Sequence, residues 1–116
     1  MQFDNVEVAA DAVLGTVDNG AELLGELLDR ARAGLGAEML GTASQAFDMT
    51  LEYLKTRVQF GQVIGSFQTL GHRAAELFGQ MELARSCTEA ALQAIDDGDD
   101  NIAELTSLSK ARVGDF

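Results

Sequence analysis

Proline is absent from this chain, and cysteine and histidine occur once each. Without proline, glycine is left as the main breaker of helices. A single cysteine, Cys87, forms no internal disulfide, which fits a reducing compartment and points to the cytoplasm. It lies in an apolar-periodic stretch and reads as a small packing residue rather than a reactive thiol. With His72 as the lone histidine, there is no Ser-His-Asp candidate and no Cys/His cluster for zinc. His72 itself reads as structural. Positive charge is also scarce. Eight Lys plus Arg against nineteen Asp plus Glu give a net charge of −11. That balance opposes nucleic-acid binding, which needs cationic surface, and disfavours an anionic membrane. No run of about 18 uncharged apolar residues exists to span a bilayer. The N-terminus has no basic and apolar regions of a signal peptide. The acidic run DDGDD lacks the twelve-residue calcium pattern and reads as a solvated turn, so no metal site is expected.

What remains is apolar and periodic. Hydrophobic residues make up 47% of the 116 positions, enough for a core. Phe3, Val6 and Val8 are spaced as a short strand or extended segment, closed by a turn signal at Val13-Leu14-Gly15. Asn19 with Glu22 has capping-box spacing and opens a long helix. Leu24, Leu27, Leu28, Ala31, Leu35 and Met39, then Leu40, Ala43, Phe47, Leu51, Leu54 and Val58, give that helix a broad apolar surface. Gly34, Gly36 and Gly41 weaken it by about 1 kcal/mol each, which points to close helix–helix approach. Gly61 and Gly65 break the pattern. Ser66 is the expected N-cap of a second helix with a stripe from Phe67 through Met81, Ala84 and Thr88 to Ile95. Gly98 is its expected C′ residue, and Asn101 with Glu104 opens a third helix.

The spacing therefore predicts an all-α fold. It is an antiparallel bundle with helices near 20–58, 66–96 and 101–116, after a non-helical first fifteen residues. Residues 1–15 read as the trailing segment of another domain, and 16–116 as a partial helical bundle. Helices apolar on more than one side call for a fourth helix or a partner chain.

The break between the first two helices carries the only constellation with chemistry. Arg57 is either a helix-end cation opposite the last carbonyls or a planar fork for a phosphate. Just downstream, the start of the second helix offers free N–H groups to an anion. Phe60 is an aromatic in a loop, and Gln68 offers an amide to a sugar or base edge. The residue chemistry leaves a plain turn and a nucleotide cradle equally open. Asp29 and Arg32 form an i,i+3 pair, ordinarily a surface ion pair of small value.

These residues resemble the acyl-CoA dehydrogenases. That family carries an Arg-x-x-Phe-Gly turn after a long helix and a Gln at the start of the next, here Arg57, Phe60, Gly61, Phe67 and Gln68. The lead-in FDNVEVAADAVLG is similar to the segment that closes the family's middle β-domain, with Ala9 in place of a proline. HRAAELFGQMELARS resembles the following helix. The resemblance implies a homo-oligomeric FAD enzyme that oxidises acyl-CoA thioesters between the α and β carbons, with an electron-transfer flavoprotein as possible acceptor. It implies flavin contacts for Arg57, Phe60 and Gln68 in a neighbouring subunit's site, and an acyl-CoA role for Asp29 and Arg32. The family's catalytic glutamate lies downstream of the matched region. In a minority of members it directly precedes the Arg of the pair, where this chain has Ala31. Glu38, Glu52, Glu76 and Glu82 match neither position, so no catalytic residue is expected here. The resemblance implies an internal fragment or truncated product, inactive alone. A helical interaction module without enzymatic activity is the alternative.

Overall fold

A computed structural model describes residues 2–115. Three α-helices carry the fold: α1 (Gly20–Thr56), α2 (Gln68–Asp97) and α3 (Ile102–Gly114). Residues 2–19 contain no strand. They hold one 3₁₀ turn at Ala10–Ala12 and are exposed throughout. The expected extended lead-in is thus present only as unpaired backbone with a short helical turn. A lone segment has no ladder to join, so its alternating valines find no sheet. The expected turn at Gly15 is there, with φ +76°.

The helices lie where the periodicity placed them, but their starts are made differently. Asn19 and Asn101 occupy the N-cap positions of α1 and α3, yet neither side chain caps a backbone N–H. Asn19 Nδ2 instead donates to Glu22 Oε2 at 2.8 Å, and Asn101 Nδ2 to Asp99 Oδ1 at 3.0 Å. In both cases a nearby carboxylate takes the side-chain amide. Ser66 is not the cap of α2. Its hydroxyl donates to the Val63 carbonyl at 2.6 Å inside a 3₁₀ turn, Ile64–Ser66, and Phe67 takes the cap position. The C-terminal end of α2 follows expectation. Gly98 is left-handed, its N–H reaches Ile95 O, and Asp99 N–H reaches Ala94 O at 2.9 Å, a Schellman closure. Helix α3 ends at Gly114; the expected extension to 116 reaches Phe116, outside the described residues.

Specific contacts fix the topology. Phe47 on α1 meets Phe78 on α2, with ring centroids 6.4 Å apart. Gly65, just before α2, lies against Leu54 near the end of α1. The two helices are therefore antiparallel. Helix α3 runs along with α1: Asp29 meets Thr106, Gly36 meets Ser109, and Val113 joins the cluster of Leu40, Phe47, Met81 and Ala84. At the crossing of all three, the Thr88 and Ser109 hydroxyls lie 3.1 Å apart and fully buried. Of the three helix glycines expected to mark close approach, only Gly36 does. A Cβ there would stand 2.8 Å from Ser109 Oγ, whereas Gly34 and Gly41 face open space.

The shape is not that of a closed core. The radius of gyration is 21.5 Å, against about 13 Å for a compact domain of this length. The principal-axis extents are 73 × 33 × 17 Å, an elongated form. Much apolar surface of the helices stays open. Leu24, Leu27, Leu28 and Leu35, the start of the expected stripe, are all exposed, Leu27 by 63%. The buried residues of α1 are Ala33, Gly36, Leu40 and Phe47, the last two from the expected apolar surface.

Two outcomes follow from this packing. Gly36→Ala should destabilise the chain by about 1–3 kcal/mol through overpacking against Ser109, while Gly41→Ala should stabilise it by up to about 1 kcal/mol. Urea unfolding of the two variants distinguishes them. The chain should also self-associate through its open faces. Association should strengthen with salt, because screening weakens repulsion between copies of this acidic chain. A stable monomer at high concentration in sedimentation would contradict this.

Candidate functional site

The break between α1 and α2 is a β-hairpin rather than a plain turn. Val58–Gln59 pairs antiparallel with Gln62–Val63, in the register Val58 to Val63 and Gln59 to Gln62. Phe60 and Gly61 form the loop, with φ of +54° and +79°. Positive φ at both central residues is the type I′ geometry, whose twist matches the strands. The signal was legible after the fact: Val-Gln on one side, Gln-Val on the other, and glycine at the second loop position. A non-glycine residue with positive φ is strained, and a bulky one more so.

Arg57 opens the hairpin as the C-cap residue of α1. Its N–H bonds Tyr53 O at 2.9 Å and its carbonyl accepts from Ile64 N–H at 2.8 Å. Its side chain is exposed and makes no ion pair among the described residues, although five of the other cations do. Phe60 is 91% exposed at the tip. Its ring meets Phe67 edge-on at 6.2 Å. Gln68, exposed, is the first residue of α2. The Leu70 and Gly71 N–H groups both turn back to Phe67 O. The N–H groups of Gln68 and Thr69 are left at the open helix start. An unpaired cation, an exposed ring, an amide side chain and free N–H groups thus converge on one end of the α1–α2 pair.

Asp29 and Arg32 are elsewhere. Arg32 donates to Asp29 Oδ1 at 2.6 Å. The Asp29 side chain is only 15% exposed, and the fully buried Thr106 hydroxyl of α3 lies 3.5 Å from the same oxygen and 3.3 Å from the Ala103 carbonyl. The pair is therefore partly buried and packed against a second helix, not the plain surface pair its spacing implied. Thr106 was missed because nothing in sequence relates it to a residue 77 positions away. Along α1, about 1.5 Å per residue separates Asp29 from Arg57 by roughly 40 Å. His72 is exposed on α2 rather than packed.

A groove of about 520 Å³ runs beside α1, lined by Leu35, Met39, Ala43 and Phe47 with Leu77 and Val113. Glu38 is on its wall. Glu52, Glu76 and Glu82 are engaged by Lys55, Arg73 and Arg85. No cluster of His, Cys, Asp and Glu able to hold a metal occurs among the described residues, and no described helix is long and apolar enough to cross a membrane.

The profile of the family described as acyl-CoA dehydrogenase, C-terminal domain, matches residues 18–116. The chain belongs to the acyl-CoA dehydrogenase family. Among curated proteins it is 38% identical over 114 residues to the mitochondrial short/branched chain specific acyl-CoA dehydrogenase of Bos taurus, covering 98% of this chain and 26% of that protein. It is 48% identical over 85 residues to acyl-CoA dehydrogenase IpdE2 of Mycolicibacterium smegmatis, covering 73% of this chain and 24% of that one. Among solved structures, butyryl-CoA dehydrogenase from Megasphaera elsdenii superposes with a TM-score of 0.89 at 31% identity. That match covers 97% of this chain and 29% of the other. The chain spans about a quarter of the length of the relatives it matches. The fold of this stretch in the family is thus reproduced, hairpin included in the matched span.

Phe60 offers a clean separation of turn from ring. Phe60→Asn replaces a strained aromatic by a residue suited to type I′. Slower exchange of the Ile64 N–H is the expected outcome, and faster exchange would show that the ring, through Phe67, holds the hairpin.

Proposed function

We propose that this chain is the part of a flavin-dependent acyl-CoA dehydrogenase that contributes one wall of an FAD site, a substrate-facing pair and oligomer-interface surface. One observation carries the reading. The hairpin presents Arg57, unpaired in a chain of net charge −11, beside Phe60 and the open start of α2 at Gln68. The donors fit a dinucleotide. Arg57 and the N–H groups of Gln68 and Thr69 suit a pyrophosphate. The Gln68 amide suits a sugar or base edge, and the Phe60 ring offers an apolar face. FAD, when bound, accepts the hydride leaving the substrate's β carbon. The residues of this chain bind and orient; none is placed to take the α-proton. Position 31 is Ala, and of Glu38, Glu52, Glu76 and Glu82 the last three already hold cations.

The separation of roughly 40 Å along α1 bears on assembly. Arg57 and the Asp29–Arg32 pair are too far apart to meet one cofactor and one thioester in the same site. If both serve the chemistry, they serve it in different sites of a homo-oligomer. The exposed apolar faces of the helices fit such an assembly. They equally favour the second reading, a helical interaction module that retains the packing without the chemistry. Electrons would leave through an electron-transfer flavoprotein, as the family resemblance implies.

Flavin retention separates the two readings. With this segment carried in a complete dehydrogenase, Arg57→Ala should weaken FAD binding by about 1.5–3 kcal/mol, the range of a charge-assisted contact. Arg57→Lys should restore only part, since it keeps the charge but loses the two-pronged geometry. Unchanged retention in Arg57→Ala returns that residue to a helix-end cation and supports the interaction module.

The 116-residue chain alone should show no acyl-CoA-dependent dye reduction with added FAD, because proton abstraction needs a base within hydrogen-bond reach. Turnover above free flavin, abolished by Glu38→Gln, would show that the chain carries its own base.

A further inference from the structure

Gly65 was legible in sequence only as a helix breaker. In the structure it is the point at which three elements meet. It is the middle residue of the 3₁₀ turn Ile64–Ser66, between the hairpin and α2. Its φ is not in the left-handed region, so backbone conformation does not require glycine there. Space does. A Cβ at position 65 would lie 2.7 Å from the Leu54 carbonyl oxygen, 3.2 Å from its carbon and 3.5 Å from Leu54 Cβ. The nearest atoms belong to the backbone of the last turn of α1. A flexible side chain could swing aside; a helix carbonyl cannot.

The turn is braced on both sides of this contact. Ile64 N–H donates to Arg57 O at 2.8 Å, which closes the hairpin base. Phe67 N–H donates to Ile64 O at 3.1 Å, which passes the geometry to the start of α2. Arg57, Phe60 and Gln68 are thus suspended from the same few residues. Their mutual placement depends on how closely Gly65 seats on α1. To turn a 2.7 Å approach into an ordinary contact of 3.4 Å or more, the turn must lift away from Leu54. Binding constellations must be held to within about 0.5 Å, so a single methyl group exceeds the tolerance.

We infer that Gly65 is a positioning residue of the flavin-contacting hairpin: its lack of a side chain sets the hairpin and the α2 start at one fixed distance from α1. The inference rests on the flavin reading of the hairpin for its functional consequence, but not for its geometry. Gly65 touches no ligand itself. It acts through Arg57, Phe60 and Gln68.

The test has two arms. In the chain, NMR should show an NOE between Gly65 Hα and Leu54, and one between the Phe60 and Phe67 rings. Gly65→Ala should abolish the ring–ring NOE and speed exchange of the Ile64 N–H at least tenfold. Amides around Thr88 and Ser109 should keep their protection, which shows that the three-helix crossing is intact. Absence of the Gly65–Leu54 NOE in the unaltered chain overturns the proposal without any variant, as does a Gly65→Ala hairpin identical to the original. In a complete dehydrogenase carrying this segment, Gly65→Ala should reduce FAD affinity at least tenfold at unchanged Tm. Gly41→Ala, whose added methyl faces open space, should leave it unchanged. Loss of the hairpin contacts with full FAD affinity means the flavin reading is wrong while Gly65 still positions the hairpin. Intact contacts with reduced affinity overturn the positioning role.

Discussion

Where α3 crosses α1 and α2, Gly36 leaves room for the Ser109 hydroxyl, and that hydroxyl meets Thr88 at 3.1 Å. The apolar cluster beside it is small: Leu40, Phe47, Met81, Ala84 and Val113. Thr88, Thr106 and Ser109 are the largest fully buried side chains among the described residues. A hydroxyl pair inside a dry crossing is directional, and leaving either member unpaired there is costly. It therefore fixes the axial position of α3 as well as its contact. From that position Thr106 reaches Asp29, and Val113 reaches Leu40 and Phe47. This small-residue crossing is one of the contacts that set the register of the three helices, beside Phe47–Phe78 and Gly65–Leu54.

The two ends of α1 serve different purposes. Near its start, Asp29 is held by Arg32 from its own helix and packed beside Thr106 of α3, so the carboxylate is mostly buried. At its end the chain leaves the helix, makes a two-residue hairpin and returns, with Gly65 seated on Leu54. A 37-residue helix is a rigid spacer between these groups. Rigidity keeps the two ends at a fixed separation, whatever each of them binds.

The apolar residues divide by geometry. Leu40, Phe47, Met81 and Val113 lie where three helices face one another and are buried. Leu24, Leu27, Leu28 and Leu35 lie on the same helix, in the same periodic pattern, and remain open. A hydrophobic stripe states that a surface is meant to be covered. It does not state by what.

The sequence by itself determined the helices. Their 3.6-residue period, the glycine at position 98 and the break at 59–65 depend only on local preferences, and all three recur in the structure. The family resemblance was likewise legible, because Arg57, Phe60, Gly61 and Gln68 are close in sequence. The side-chain bonds at the helix starts were not legible: Asn19 and Asn101 had carboxylates within three residues that competed for the side chain, and Ser66 was drawn into a 3₁₀ turn. Only the tertiary structure decided which glycine was a contact and which was idle, that Thr106 would pack beside Asp29, and that Gly65 would rest on a helix carbonyl. These depend on distances between residues remote in the chain or on either side of a turn. Local periodicity sets the direction in which a side chain points along its own helix, and packing alone sets what stands opposite it.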